Sequence, residues 1–224
     1  GSANGTYLNG RRVAQPVPLS DGASIQIGSS LLKFCQKSSE TVMAGELAER
    51  TLMDIRSAPS WLLLADIEGS TQLGQSISAE QLPIITGRWF SNCKQVIEAN
   101  GGSINKYLGD GFFAYWPAAE ADREPLLKAL EELKALQREA QPSFRLVLHR
   151  GTVFMGGAPS MGEESLSGPE VNFIFRMEKI AAGLQQRCLL SAAAVEGLAG
   201  KLPFESVGEH PVAGFVGQFE FFAF

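Results

Sequence analysis

The spacing of hydrophobic and polar positions divides the chain into three stretches. Residues 1–36 carry short apolar runs between Gly, Asn and Ser. Asn4-Gly5 and Asn9-Gly10 are hairpin-turn pairs, because both residue types tolerate positive φ. Val17-Pro18-Leu19, Asp21-Gly22 and Ile25-Gln26-Ile27 then predict strand, turn and strand. This segment is all-β and too short to close a sandwich by itself. Across residues 37–59 the period becomes helical. Ser39 with Thr41 offers a start, and Met43, Leu47, Leu52 and Ile55 lie among Glu46, Glu49, Arg50 and Asp54. Pro59 ends the pattern. The spacing predicts a linker helix suited to pairing with a copy of itself.

From residue 60 strands alternate with helices. Trp61 to Ala65 reads as a short buried strand. Ser78 and Gln81 form a capping-box pattern for a helix to about Asn100, stopped by Gly101-Gly102. Ser103 to Leu108 and Phe112 to Trp116 predict two strands joined at Gly109-Asp110-Gly111. Leu126, Leu127, Leu130, Leu133 and Leu136 mark an amphipathic helix, with Glu124 four residues before Lys128 on its wet side. Phe144 to Leu148 and Thr152 to Met155 are strands around Gly151. A helix follows Gly168, and short strands run on to Phe224. The order β-α-β-β-α-β predicts an α+β, ferredoxin-like sheet covered on one face by helices. The expected organisation is a β-rich segment at 1–36, a linker helix at 37–59 and one large domain at 60–224.

Composition narrows the function classes. Apolar residues make up 45% and charged residues 19% of the 224 positions, ordinary values for a folded chain. Lys plus Arg is 19 and Asp plus Glu is 24, a net charge of −5 with no basic stripe. Phosphate-neutralising nucleic-acid binding therefore has little support. No apolar run approaches the ~20 residues that span a bilayer, and no signal-peptide pattern is visible. The three cysteines, Cys35, Cys93 and Cys188, are odd in number and far apart. That pattern fits a reducing compartment and predicts a cytoplasmic protein with small core cysteines. With two histidines, His149 and His210, a multi-His metal site within one chain is excluded.

Two carboxylates stand where chemistry commonly sits. Asp66 ends the Trp61–Ala65 strand and precedes Ile67-Glu68-Gly69-Ser70-Thr71, a small turn whose amides can point at phosphate oxygens. Its structural alternative is a turn cap. Asp110 lies between two glycines at a hairpin tip, which is also a plain turn signal. On a neighbouring strand, however, it can stand beside Asp66, and two hard oxygen ligands suit Mg²⁺ or Mn²⁺. Asn172 and Arg176 share a helix face. Arg offers a planar fork to phosphate oxygens and Asn can hold a sugar oxygen, although a polar helix face looks the same. Lys106 lies on the strand entering the Asp110 turn, where a solvated lysine is ordinary. His149 reads as a packed polar residue.

Together these pieces resemble the class III nucleotide cyclase homology domain. The stretches are LLLADIEGST (62–71), INKYLGDGFFAYW (104–116), VLHRGTVFMGG (147–157) and SGPEVNFIFRMEKIA (167–181), in the family's order. The resemblance covers about residues 60 to 224 and implies a palm-type βαββαβ sheet. It implies a reaction in which the ribose 3′-oxygen of ATP or GTP attacks the α-phosphorus, releasing pyrophosphate and a cyclic 3′,5′-monophosphate. By motif position, Asp66, Asp110 and the carbonyl of Ile67 would hold two Mg²⁺ or Mn²⁺ ions. The amides of Glu68, Gly69, Ser70 and Thr71 would cradle the β- and γ-phosphates. Asn172 would position the ribose, and Arg176 would stabilise charge developing on the α-phosphoryl.

Lys106 occupies the position where adenylate cyclases resemble one another in having Lys and guanylate cyclases usually have Glu. An ammonium donates to adenine N1 but cannot accept from guanine N1–H. Its partner position is Ser165, whose hydroxyl can accept from the adenine amino group. The resemblance therefore implies ATP as substrate and cyclic AMP signalling as the role. The family builds its site between two catalytic domains, one supplying the aspartates and the other Lys, Asn and Arg. This chain carries both sets, so a head-to-tail homodimer with two equivalent sites is expected. The family often has a basic residue near its C-terminal strand; here 211–217 contains no Lys or Arg, and Arg150 is a possible replacement.

GSANGTYLNG (1–10) and VPLSDGASIQIG (17–28) resemble the last third of a forkhead-associated (FHA) domain, a phosphothreonine reader. The family's phosphate-gripping Arg and Ser lie upstream of the matching segment. The sequence thus reads as starting inside such a domain, and a phosphothreonine partner is expected only where the whole domain is present. Two other readings stand beside the adenylate cyclase. One is a catalytically silent cyclase-like dimerisation or nucleotide-sensing module, against which stands the complete set Asp66, Asp110, Lys106, Asn172 and Arg176. The other is a guanylate cyclase, which Lys106 opposes. A diguanylate cyclase is excluded because Leu108-Gly109-Asp110-Gly111-Phe112 stands where its GGDEF-type turn would be.

Overall fold

Trp61 to Ala65 is apolar at every position because it forms the middle of a sheet buried on both faces. A computed structural model describes residues 6–13, 17–20, 22–27, 30–34, 56–118, 123–139, 141–156, 166–198 and 200–224. The chain divides into two units, 1–50 and 51–224.

The first unit is a four-stranded antiparallel sheet of β1 (Thr6–Leu8), β2 (Arg11–Arg12), β3 (Ser24–Ile27) and β4 (Ser30–Lys33), in the order β2-β1-β3-β4. The β1–β2 hairpin turns on Asn9 and Gly10, with φ of 49° and 79°. Two successive positive φ values suit the right-handed twist of the flanking strands, as the Asn-Gly pair predicts. Val17 to Leu19, expected as a strand, has no ladder partner and is irregular. Asn4-Gly5 and Asp21 lie outside the described residues.

The second unit runs β5 (Arg56–Ile67), α1 (Ser70–Ser76), α2 (Gln81–Ala99), β6 (Ser103–Tyr107), β7 (Gly111–Pro117), α3 (Glu124–Glu139), β8 (Phe144–Met155), β9 (Leu166–Ser167), α4 (Pro169–Gly183), β10 (Cys188–Ser191), α5 (Ala192–Leu198), β11 (Glu205–Pro211) and β12 (Gln218–Ala223). The sheet order is β11-β12-β10-β8-β5-β7-β6, with β9 paired to β8. The segment β8-β5-β7-β6 is the ferredoxin-like arrangement that the order of elements predicts. Strand β5 is antiparallel to both neighbours, and β10 extends the sheet parallel to β8.

Side-chain alternation sorts β5 into two layers. Trp61, Leu63, Ala65 and Ile67 pack with Trp89, Cys93 and Ile97 of α2 and with Leu126, Leu130 and Leu133 of α3. Leu62 and Leu64 pack with Val171, Ile174 and Met177 of α4 on the opposite face. The expectation of helices on one face is therefore corrected: α4 covers the other. Three further expectations change. Residues 56–59 belong to β5 rather than to a linker helix, because they pair with Thr152–Met155 of β8. The rest of the proposed linker, 37–55, lies outside the described residues. The strands on either side of Gly151 are one continuous β8. Glu124 pairs with Lys201 at 3.2 Å, while Lys128 pairs with Glu132 at 3.9 Å.

Near the α2 start the Ser78 hydroxyl accepts the Gln81 N–H at 3.3 Å, one half of the predicted capping box, but the helix itself begins at Gln81 behind Glu80, and Pro83 sits in the first turn where no N–H is needed. Cys93 and Cys188 are buried free thiols in the core; Cys35 lies outside the described residues. Among the described residues no helix is long and apolar enough to cross a membrane.

The turn after β6 needs its second glycine. A Cβ on Gly111 would lie 2.5 Å from the Ala65 carbonyl oxygen and 3.0 Å from Asp66 Oδ1. Gly111→Ala is expected to lower stability by about 1–3 kcal/mol, read as a fall in the urea midpoint. An unchanged midpoint would show that the hairpin does not press on the end of β5.

Candidate active site

Asp66 follows Leu62 and Leu64 onto the α4 side of the sheet, at the end of β5. In the ladder it lies opposite Gly111 of β7 and Arg145 of β8. Gly109 takes φ of 70°, and Leu108 and Gly111 exchange backbone hydrogen bonds of 2.8 and 3.3 Å across the turn. Asp110 is held at that turn by its own carbonyl, which accepts the Ile67 N–H at 3.1 Å. The two predicted carboxylates are thereby brought together. Burial first, then the Asp110 and Glu178 charges, pushes the Asp66 carboxyl up to about 7, and its protonated form hydrogen-bonds Asp110. The Arg145 charge opposes that shift.

Arg145 is the functional-end residue that pattern reading missed. Its side chain is 12% exposed. Nη2 reaches Glu68 Oε1 at 3.3 Å, Nη1 reaches Glu178 Oε1 at 3.3 Å, and Nε donates to the Gln186 carbonyl at 3.2 Å. One planar fork thus ties the turn after β5, helix α4 and the turn before β10. The available signal was a lone charge inside the apolar run Phe144-Arg145-Leu146-Val147-Leu148. Glu178 carries no comparable local signal, since it looks like any polar helix position.

Glu68 departs from expectation. Its N–H donates to the Ser143 carbonyl at 2.8 Å, so this amide is not available to a phosphate. Its carboxylate binds Arg145, and Arg187 Nε lies 3.5 Å away. Glu68 thus anchors the turn. Gly69 adopts φ of 62°, which launches α1 in a direction a side-chain-bearing residue would resist.

Two cavities flank the carboxylates. One of about 420 Å³ is lined by Ile67, Ser70, Thr71, Leu82, Gly109 and Asp110, among others. The other, about 240 Å³, is lined by Asp66, Leu108, Gly111, Phe175, Glu178 and Lys179 with Leu64 and Ala65. Asn172 and Arg176 are exposed on α4 and line neither cavity. Lys106 is exposed on β6, with Nζ 5.4 Å from the Phe175 ring centroid and 6.0 Å from that of Phe113. Ser165 lies outside the described residues. Arg150 does not serve the aspartates of its own chain. It pairs with Trp61, its guanidinium lies over that ring at 5.6 Å, and Trp61 is about 17 Å along β5 from Asp66. His149 is buried and hydrogen-bonded, as expected.

Proteins similar to this chain include nucleotide cyclases. Residues 1–28 match the family model of the FHA domain. Adenylate cyclase 2 of Rhizobium meliloti (strain 1021) is 27% identical over 169 residues, which cover 68% of this chain. The chain spans 46% of that relative's length. The crystal structure of the adenylyl cyclase CyaB from P. aeruginosa superposes with a TM-score of 0.64 at 18% identity, covering 76% of this chain and 95% of that one. The guanylyl cyclase Cya2 superposes with a TM-score of 0.59 at 19% identity, covering 76% and 93%. The larger unit thus has the fold of class III adenylyl and guanylyl cyclase catalytic domains, and the smaller one matches part of an FHA domain.

The Asp66 carboxyl sets a pH test. Its folded pKa lies above the ordinary 3.8, so the folded state binds the extra proton between about pH 4 and 7. Stability contributed by this group is present at the acid end and is lost as pH rises through 7. In metal-free buffer Asp66→Asn is therefore expected to raise Tm at pH 8, and the gain should vanish near pH 5. A gain of equal size at both pH values would refute the charge explanation.

Proposed function

We propose that this chain is the catalytic part of an adenylate cyclase that converts ATP to 3′,5′-cyclic AMP and pyrophosphate in signal transduction. The observation that carries the reading is the placement of Asp66 and Asp110 side by side at the β5 end, next to the Gly69–Thr71 turn. The adenylate cyclase relatives support it independently.

The oxygen donors Asp66 and Asp110 suit a hard cation such as Mg²⁺ or Mn²⁺. Among the described residues no group of three or more His, Cys, Asp and Glu side chains is arranged as a closed metal site. Mg²⁺, however, is ordinarily held by one or two carboxylates plus substrate phosphates. An Asp66 carboxyl raised by desolvation and by the Asp110 and Glu178 charges is the signature of a site short of positive charge. Asp66, Asp110 and the Ile67 carbonyl would therefore hold two such ions. When bound, these ions polarise the α-phosphoryl group and favour the deprotonated 3′-oxygen.

The chain's own residues do the rest. The amides of Gly69, Ser70 and Thr71 receive the β- and γ-phosphates and orient the leaving pyrophosphate in line. Asn172 holds the ribose so that its 3′-oxygen faces the α-phosphorus. Arg176 matches the charge that develops on the α-phosphoryl oxygens as the bond to pyrophosphate breaks. Lys106 donates to adenine N1, with the Ser165 hydroxyl as partner for the amino group. Arg145 keeps the turn and α4 in register with Asp66. Because Asn172 and Arg176 line neither aspartate cavity, a second copy supplies them. The assembly is then a head-to-tail homodimer with two equivalent sites.

Purified protein at high concentration, given ATP or GTP with Mg²⁺ or Mn²⁺, is expected to form cyclic AMP in preference to cyclic GMP. Asp110→Ala should abolish product, and Arg176→Ala should lower kcat about 100- to 1000-fold. Folded dimeric protein that makes no cyclic product would point to a silent nucleotide-sensing module. Mixing Asp110→Ala chains with Arg176→Ala chains should restore activity, because each hybrid dimer regains one intact site. Confirmed hybrids that stay inactive would refute shared sites.

A further inference from the structure

A third cavity, about 330 Å³, opens away from the aspartates, where α4, β10, α5 and β12 meet. One wall is aromatic. The Phe173 ring centroid lies 5.1 Å from that of Phe215 at an interplanar angle of 90°, and 5.0 Å from that of Phe219 at 70°. Phe215 and Phe219 are 6.3 Å apart at 88°. Rings set at such steep angles turn electron-rich faces in different directions. The polar part of the lining is acidic: Glu170, Glu196 and Glu220, with no Lys or Arg.

The floor is already satisfied. His149, 5% exposed, is bonded through Nδ1 to Ser191 Oγ at 2.7 Å and through Nε2 to Glu170 Oε2 at 2.5 Å. Burial holds its pKa below the ordinary range, against the pull of Glu170. Ser, His and Glu in series resemble a nucleophilic relay. Ser191, however, is 3% exposed and its oxygen accepts the Ala194 N–H at 3.2 Å, which makes it the cap of α5. Acyl-transfer chemistry is therefore not the reading. What remains open to a ligand is an aromatic wall beside carboxylates. Glu196 and Glu220 are exposed at the rim, Glu220 accepting from the Ser206 hydroxyl at 2.9 Å.

We propose that this cavity binds a small organic cation with an apolar body, of the arylalkyl- or alkylammonium class. The body packs on Phe173, Phe215 and Phe219, and the ammonium lies between their faces and the Glu196 and Glu220 carboxylates. An anion would meet three carboxylates and no cation. The volume suits a fragment-sized ligand. Glu170 and Phe173 stand on either side of Asn172 in α4. An occupant therefore acts on the helix that carries Asn172 and Arg176. This regulatory consequence rests on the cyclase reading, whereas the binding does not.

The test uses the whole 224-residue chain at pH 7 in physiological salt, without nucleotide. Protonated 2-phenylethylamine is the probe and 2-phenylethanol its uncharged counterpart, with binding followed by calorimetry and ligand-observed NMR. The amine is expected to bind at least about tenfold more tightly than the alcohol. Glu196→Gln combined with Glu220→Gln should remove that difference while leaving Tm unchanged. Equal binding of the two probes, no binding of the amine, or full binding by the double variant would overturn the site. A second arm follows cyclic AMP formation. A rate that responds to the amine in wild type but not in the double variant supports regulation through α4. An unresponsive rate with intact binding overturns that consequence alone. Absence of any cyclic product refutes the cyclase reading and leaves the binding result standing.

Discussion

The balance of charge around Asp66 is the constraint on which the functional end of the sheet depends. A carboxylate at the end of a central strand loses hydration on both sides, and here Asp110 and Glu178 add like charge. One side chain, Arg145, answers from the neighbouring strand. Its reach to Glu68 and Glu178 means that the turn after β5 and the helix α4 share a single cation. The site is held together by that cation but left short of positive charge. That shortage is what the proposed metal ions would relieve.

Two-sided burial of β5 makes this arrangement possible. Helices α2 and α3 seal one face with Trp89, Cys93 and Leu133, so the sheet is rigid under the carboxylates. Helix α4 covers the other face with Ile174 and Met177 and leaves Asn172 and Arg176 exposed, lining neither aspartate cavity. Under the proposed function, each chain then carries a half-site. On that reading the exposed Asn172 and Arg176 of α4 would act on a partner's aspartates, and assembly would be a point of control. The aromatic and acidic cavity at the start of α4 sits beside the same lever from a third direction.

Much of the fold was legible along the chain. Strands β6 and β7 and helices α2, α3 and α4 appear close to where alternation, leucine spacing and the Ser78 and Gly101-Gly102 signals put them, because those signals are local. The Asn9-Gly10 hairpin was legible for the same reason. Helix α1 was not anticipated: its first two residues, Ser70 and Thr71, were read into a turn, and a seven-residue segment is too short to show a helical stripe. The extension of β5 back to Arg56 was hidden because Pro59 reads as a stop, yet the pairing with β8 runs through it.

Sequence alone determined which residue types stand at the ends of strands: Asp66 after an apolar run, Asp110 between glycines, Asn172 and Arg176 one helical turn apart. Local backbone chemistry dictates those placements. Only the tertiary structure decided that Asp66 and Asp110 share a site. Likewise, it alone decided that the Glu68 amide is spent on Ser143, that Arg145 rather than Arg150 attends the carboxylates, and that α4 takes the second face. Each of these depends on which strands are neighbours and in what register. Register is set by the sum of many buried contacts, not by any short run of residues.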